Sequence, residues 1–247
     1  MKHLLIILAF AVMAAQSLFA QSSCVAIQAL PSTAPAGVSR LWGKASAFWP
    51  QHATLRVRFL AGTARQQSEA WKRFVVVDQL VNLTFTRVVS GESEIRVRFA
   101  LDGGHWSYVG TGNRTIPQNA ETMNLALSAG VFGDNAAEWN RVAIHEILHA
   151  IGFEHEHQHP QHGIPWNREA VYAYYGSTQG WSRRQIDQQV LNRYTGNQFR
   201  GTKFDASSIM QYPVPPTLTT NGFSVGWNDK LSVTDIAFIK TVYPAKE

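Results

Sequence analysis

The chain has 247 residues, 45% apolar and 16% charged, with a formal net charge of +5 and a pI near 9.5. That balance excludes a disordered chain and allows one sizeable folded domain in two lobes behind a leader. Lys and Arg are scattered, with no basic run and no nucleic-acid motif, so the charge reads as solubility and general attraction, not nucleic-acid binding.

In chain order, "MKHLLIILAFAVMAAQSLFA" comes first. Lys2, an apolar run from Leu4 to Val12 and the small residue Ala20 predict a signal peptide over residues 1–20 and export to a secreted or periplasmic location. No later stretch is apolar enough to predict stable membrane insertion. Residues 21–48, rich in Ala, Ser and Pro, read as a propeptide or extended leader. Residues 49–247 read as the folded domain, with an upper lobe over roughly 49–152 and a lower lobe over roughly 153–247. Cys24 is the single cysteine, so no intramolecular disulfide can form.

"LRVRFL" (Leu55–Leu60) alternates apolar and basic residues and predicts a half-buried strand. A helix follows, with Ala70, Trp71, Phe74, Val75 and Leu80 on a broad apolar stripe. "LTFTRV" and "IRVRFA" predict two more strands, the latter with Arg96 and Arg98 on one face. "GGHWSYVGTGN" reads as a Gly-rich loop, and no Gly-Lys-Ser/Thr ends it as phosphate binding would require. "TMNLAL" predicts a short strand. "NAAEWNRVAIHEILHAIG" predicts a helix capped by Asn135, with Glu138 in capping-box position and Gly152 as its stop. Further on, "SRRQIDQQVLNRY" has Ile186, Val190 and Tyr194 at helical spacing, with Ser182 as cap. "SVTDIAFIKTVY" predicts a last helix capped by Ser232 or Thr234, with Ile236, Ile239 and Val242 inward. "NLT" at Asn82 and "NRT" at Asn113 match glycosylation triplets, which are common by chance.

The segment "HEILHAIGFEHEHQHPQH" holds six of the nine histidines. His145 and His149 lie four apart, which on a helix stacks them on one face around a single metal ion. Glu146 is rotated about 100° from His145 and can address a water there without binding the metal. A catalytic zinc takes three protein ligands plus water. Gly152 permits a sharp turn, which lets His155 come back as the third ligand. His157, His159 and His162 fall in a Pro- and Gly-containing segment and read as surface or structural. Two bland readings stand beside this one: a zinc-stabilised secreted binding protein without catalysis, and a histidine-rich scavenger of several metals.

The extended pattern at His145, Glu146, His149, Gly152 and His155 resembles the metzincin clan of zinc endopeptidases. "SSIMQYP" supplies the methionine turn that the clan carries. "GFEHEHQHP" with "SIMQY" most resembles the astacin family, in its bacterial members particularly. The resemblance implies an α+β fold. Its upper lobe would be a twisted, mostly parallel sheet with backing and active-site helices. An irregular C-terminal lobe would hold the methionine turn and a C-terminal helix. It implies one zinc ion per chain, hydrolysis of an extended protein or peptide substrate, and Glu146 as general base. Tyr212 would ligate zinc at rest and swing to the transition state. Met210 would floor the zinc without binding it, and Glu156 would pair with a mature N-terminal ammonium.

The chain departs from the family in three ways. Gln211 stands where a histidine is usual, the two disulfides of animal members are impossible here, and no arginine follows Arg200 to favour acidic residues after the cut. "TMNLAL" reads either as the strand above the cleft, pairing with substrate, or as a plain sheet strand. Cys24 reads as a zymogen zinc ligand, an idle residue lost on processing, or a lipid-attachment cysteine that "QSS" suits poorly.

Overall fold

In the computed structural model, which describes residues 24–27, 44–127, 136–194 and 203–244, the alternating segments build one sheet. Its strands are β1 (Cys24–Ile27), β2 (Thr54–Phe59), β3 (Thr84–Val88), β4 (Ile95–Arg98), β5 (His105–Tyr108) and β6 (Met123–Asn124). The spatial order is β1-β5-β6-β4-β2-β3. Four of the five pairings are parallel, and β5 runs antiparallel to β6. Helix α1 (Ala64–Asp78) starts at Thr63, whose hydroxyl accepts from Gln66 N in a reciprocal capping box. It buries Ala70, Phe74 and Val77. Val75, expected inward, is exposed, and Val77 takes its place.

"GGHWSYVGTGN" holds a strand where a loop was expected. In β5 the inward residues are His105 and Ser107, while Trp106 and Tyr108 are half-exposed. Polar-in, aromatic-out alternation inverts the signal that marks a strand. β6 lies between β5 and β4 with both edges paired, so it cannot pair with a substrate. β1 pairs with the other edge of β5 and is the outermost strand of the sheet on that side. Arg96 is fully buried and donates to the carbonyls of Ser93, Ala120 and Ile116, tying down the loop that joins β5 to β6.

The central helix runs from Ala136 to Ala150 in three parts: α2 (Ala136–Trp139), a π-helical turn (Asn140–Ile144) and α3 (His145–Ala150). The expected cap Asn135 lies outside the described residues. Strands, α1, the central helix and the last helix share one core, which includes Leu55, Phe74, Ile147, Phe153 and Phe238. A second, smaller core joins α4 (Arg168–Gln179) and α5 (Arg183–Ile186) through Val171, Tyr175, Ile186 and Val190. Helix α4 was not legible in the sequence, because only Val171 and Tyr175 turn inward. Ser182 caps α5 as expected, and a π turn (Asp187–Leu191) extends it. Tyr194 lies beyond that turn and is not part of its stripe. Helix α6 (Val233–Val242) is capped by Ser232 and buries Asp235, Phe238, Ile239 and Val242.

Asn82 and Asn113 are both buried, and Asn113 donates to Tyr108 O and Gly110 O, so neither triplet is open to glycosylation in the fold. No helix among the described residues is long and apolar enough to cross a membrane.

Candidate active site

Helix α3 ends in a way that turns the chain back on itself. Gly152 has φ of 112°, and its N–H donates to His149 O at 2.8 Å while Phe153 N donates to Leu148 O at 3.0 Å. This paired pattern satisfies the last helical carbonyls with a glycine in the position that needs positive φ. The carbonyls of Ala150 and Ile151 are met from far away. The Trp49 indole donates to the first at 2.8 Å and the Tyr243 hydroxyl to the second at 2.7 Å. The Tyr243 hydroxyl also accepts from Trp49 N. Two ends of the chain thus clamp the end of the helix.

That turn returns His155 to His145 and His149. Ring centroids lie 4.7 Å (His145–His149), 4.5 Å (His149–His155) and 5.2 Å (His145–His155) apart. One nitrogen from each ring lies within 4.8 Å of the other two, and the His149 and His155 Nε2 atoms are 3.1 Å apart. Tetrahedral zinc with bonds of about 2.0–2.1 Å needs ligand nitrogens about 3.3 Å apart, so the His149–His155 pair is already near ligand spacing and a small adjustment of His145 closes the set. His145 Nδ1 donates to Ile209 O at 2.8 Å and His149 Nδ1 to Phe153 O at 2.6 Å. A carbonyl only accepts, so both rings carry their proton on Nδ1 and keep the Nε2 lone pair for a metal. The Nε2 of His145 is buried with no partner among the described residues, as suits a metal-ligand atom. Burial holds all three rings neutral, the form that binds metal: His149 falls to about 4, and His145 and His155 sit well below the ordinary range. His157, His159 and His162 are not in the cluster. They are buried and hydrogen-bonded to local or neighbouring backbone, which makes them structural and not surface residues.

Glu146 follows His145 on α3 and is fully buried; burial pushes its carboxyl well above the usual range. Glu156 is buried with its carboxylate accepting from Asp205 N at 2.8 Å. Burial chiefly, with Asp235 and Asp205 nearby, lifts it to about 8. Its backbone N–H donates to Met210 O. The segment Ser208–Gln211 forms a turn closed by Gln211 N to Ser208 O, and Met210 is buried in the main core. Asp235 of α6 pins that turn, accepting from the Ser208 hydroxyl and Ile209 N. Asp235, Trp49 and Tyr243 therefore hold the metal face from behind. Sequence reasoning assigned none of them this task, since their partners lie 26 to 194 residues away. A signal was present in the two aromatics, which bury well only when the polar tip finds a partner.

Tyr212 is buried with its ring 4.4 Å from that of His155. Its hydroxyl has no partner among the described residues. Burial raises the phenol well above the ordinary range. A shallow, solvent-open pocket lies beside it, lined by Arg141, His145, Gln211, Tyr212, Trp227 and Asn228. Cys24 opens β1, and its Cα is in register with that of His105 on β5.

No family model and no curated protein matches the chain. Among solved structures, one of myroilysin is 40% identical, with a TM-score of 0.77, covering 83% of this chain and 99% of that one. The chain belongs to the astacin-like zinc metalloendopeptidases. A second myroilysin structure is 39% identical, covering 84% of this chain and 92% of that one, with a TM-score of 0.63. The hatching enzyme zinc-protease of the medaka fish Oryzias latipes, high choriolytic enzyme 1, shares the fold. It has a TM-score of 0.57 at 16% identity and covers 85% of this chain and 100% of that one. The mostly parallel sheet and flanking helices of this astacin-like enzyme match those neighbours in architecture. Its three converging imidazoles supply a metal site of the kind a zinc peptidase needs.

Proposed function

We propose that this endopeptidase holds one zinc ion through His145, His149 and His155 and uses Glu146 as its general base. The observation that carries the reading is the convergence of three buried, neutral imidazoles beside a fully buried Glu146. When bound, zinc supplies Lewis acidity toward a water and toward the scissile carbonyl. Glu146 takes the water's proton and hands it to the leaving amine. A general base works best with a pKa near the operating pH, and burial moves Glu146 in that direction. The Tyr212 hydroxyl, buried and without a partner among the described residues, donates to the developing oxyanion. Met210 floors the site as the apolar residue of the methionine turn. Glu156 receives the mature N-terminal ammonium once processing has freed it. A buried carboxyl at Glu146 disfavours a purely structural zinc, which would have no use for it.

The substrate is an extended protein or peptide that pairs with the outer edge of β5 and sets one side chain in the pocket beside Tyr212. β1 of the leader occupies that edge, so latency follows from simple competition for one strand. Cys24, at the start of β1, supplies a thiolate to the zinc in the zymogen. The exported chain is organised as signal 1–20, propeptide 21–48 and catalytic domain 49–247, with lobes over roughly 49–152 and 153–247. The test is zinc content measured alongside cleavage of a generic unfolded protein. One zinc per chain with cleavage supports the reading. Several metals per chain without cleavage supports a scavenger instead.

A further inference from the structure

The Tyr212 ring is held by its faces, since its hydroxyl has no partner among the described residues. It stacks on His157 with centroids 4.2 Å apart and planes 28° apart. His155 leans on it at 4.4 Å and 60°, and the His155 and His157 rings are 5.0 Å apart. A metal ligand, a phenol and a second imidazole thus close a triangle. His157 is fully buried and stands outside the metal-ligating group. It is anchored from the lower lobe: its Nε2–H donates to Gln189 O at 2.8 Å, on the π turn Asp187–Leu191. The short turn that carries His157, Glu156–Gln158, is fastened on both sides. Gln158 donates to the carbonyls of Gln188 and Asn192, and Glu156 N donates to Met210 O. A ring fixed this way cannot rotate, so it offers Tyr212 one flat face at one angle. Its own Nδ1 is buried with no partner among the described residues, which an apolar ring would avoid. The tether to Gln189 accounts for the choice of imidazole, because it sets the plane of the face.

We propose that His157 is a positioning residue that docks the Tyr212 ring against His155 and so fixes the distance of its hydroxyl from the metal. This rests on the reading of Tyr212 as facing the metal. Any swing of Tyr212 breaks the stack, so His157 sets the balance between docked and swung states. An aromatic pair of this kind shifts such a balance by about two- to tenfold.

Replacing the metal by Cu(II) gives a readout independent of turnover, since a phenolate on copper has a visible charge-transfer band. Wild type should show the band and Tyr212→Phe should lose it. His157→Ala should weaken it by about two- to tenfold per bound copper, with copper content unchanged. His157→Phe, which keeps the face, should restore most of it. With zinc restored, kcat should fall in the alanine variant more than KM changes. Should His157→Ala fail to fold, His157→Leu fills the space without a flat face and carries the same expectation. A wild-type band that persists at full strength in the alanine or leucine variant overturns the role of His157 and leaves Tyr212 at the metal. A wild type without the band, or a band that survives Tyr212→Phe, overturns the reading of Tyr212 and the proposal with it.

Discussion

Replacing Gly152 by alanine should destabilise the metal-free protein by about 2–6 kcal/mol. Two separate effects add. The backbone at φ of 112° lies where L side chains are strained, a cost of about 1–3 kcal/mol. The new Cβ would also stand 2.6 Å from Phe48 Cδ1 and 3.2 Å from the Ala47 carbonyl, so the ring must shift in a packed core. Overpacking of that kind costs about 1–3 kcal/mol. Gly91 separates the two effects. Its φ is 82°, yet nothing lies within 4 Å of an added Cβ, so Gly91→Ala should show the strain alone. The damage at Gly152 reaches the metal because Phe153 O, next in the chain, orients His149. Loss of such an orienting partner lowers metal affinity by about 10–100-fold. The assay is urea unfolding of chelated protein for both variants, followed by zinc titration. A Gly152→Ala protein as stable as wild type, with unchanged zinc affinity, would refute the claim that this glycine sets the path to His155.

Three further outcomes are expected. Arg96→Met should lower stability by about 3–9 kcal/mol, since it strands three buried or part-buried carbonyls at about 1–3 kcal/mol each; an unchanged urea midpoint would contradict this. Metal-free protein should lose stability as pH falls from about 6.5 toward 4.5. Six histidines have depressed pKa values: His105, His149 and His162 near 4, His157 near 3, and His145 and His155 well below normal. They take up protons only on unfolding. The raised carboxyls of Glu146, Glu156 and Asp235 oppose them but are fewer. A flat stability profile over that range, measured by urea midpoints, would count against the buried neutral set. Finally, Cys24→Ser should raise the activity of the unprocessed chain, and unchanged latency would remove the thiolate from the account.

The metal face was legible because it is written in local spacing. A helical turn separates His145 from His149, and one glycine defines where the chain turns back to His155. Strand β5 was not legible, because His105 and Ser107 point inward and the aromatics outward. Of the two readings open for "TMNLAL", the plain sheet strand holds, because both edges of β6 are paired. The π turn before His145 has no compositional mark. The burial of His157, His159 and His162 was hidden because polar residues there meet backbone partners that only the fold supplies. Contacts such as Trp49 to Tyr243 span 194 residues and leave no local trace.

The central claim concerns one carboxyl beside one ion, and Glu146→Gln tests it most directly. The substitution keeps the size of a fully buried side chain and removes its ability to take a proton. Zinc content should stay at one per chain, while cleavage of an unfolded protein should fall by about 10²–10⁴-fold, the usual share of a general base. Near-normal cleavage by the zinc-loaded glutamine variant would contradict the account.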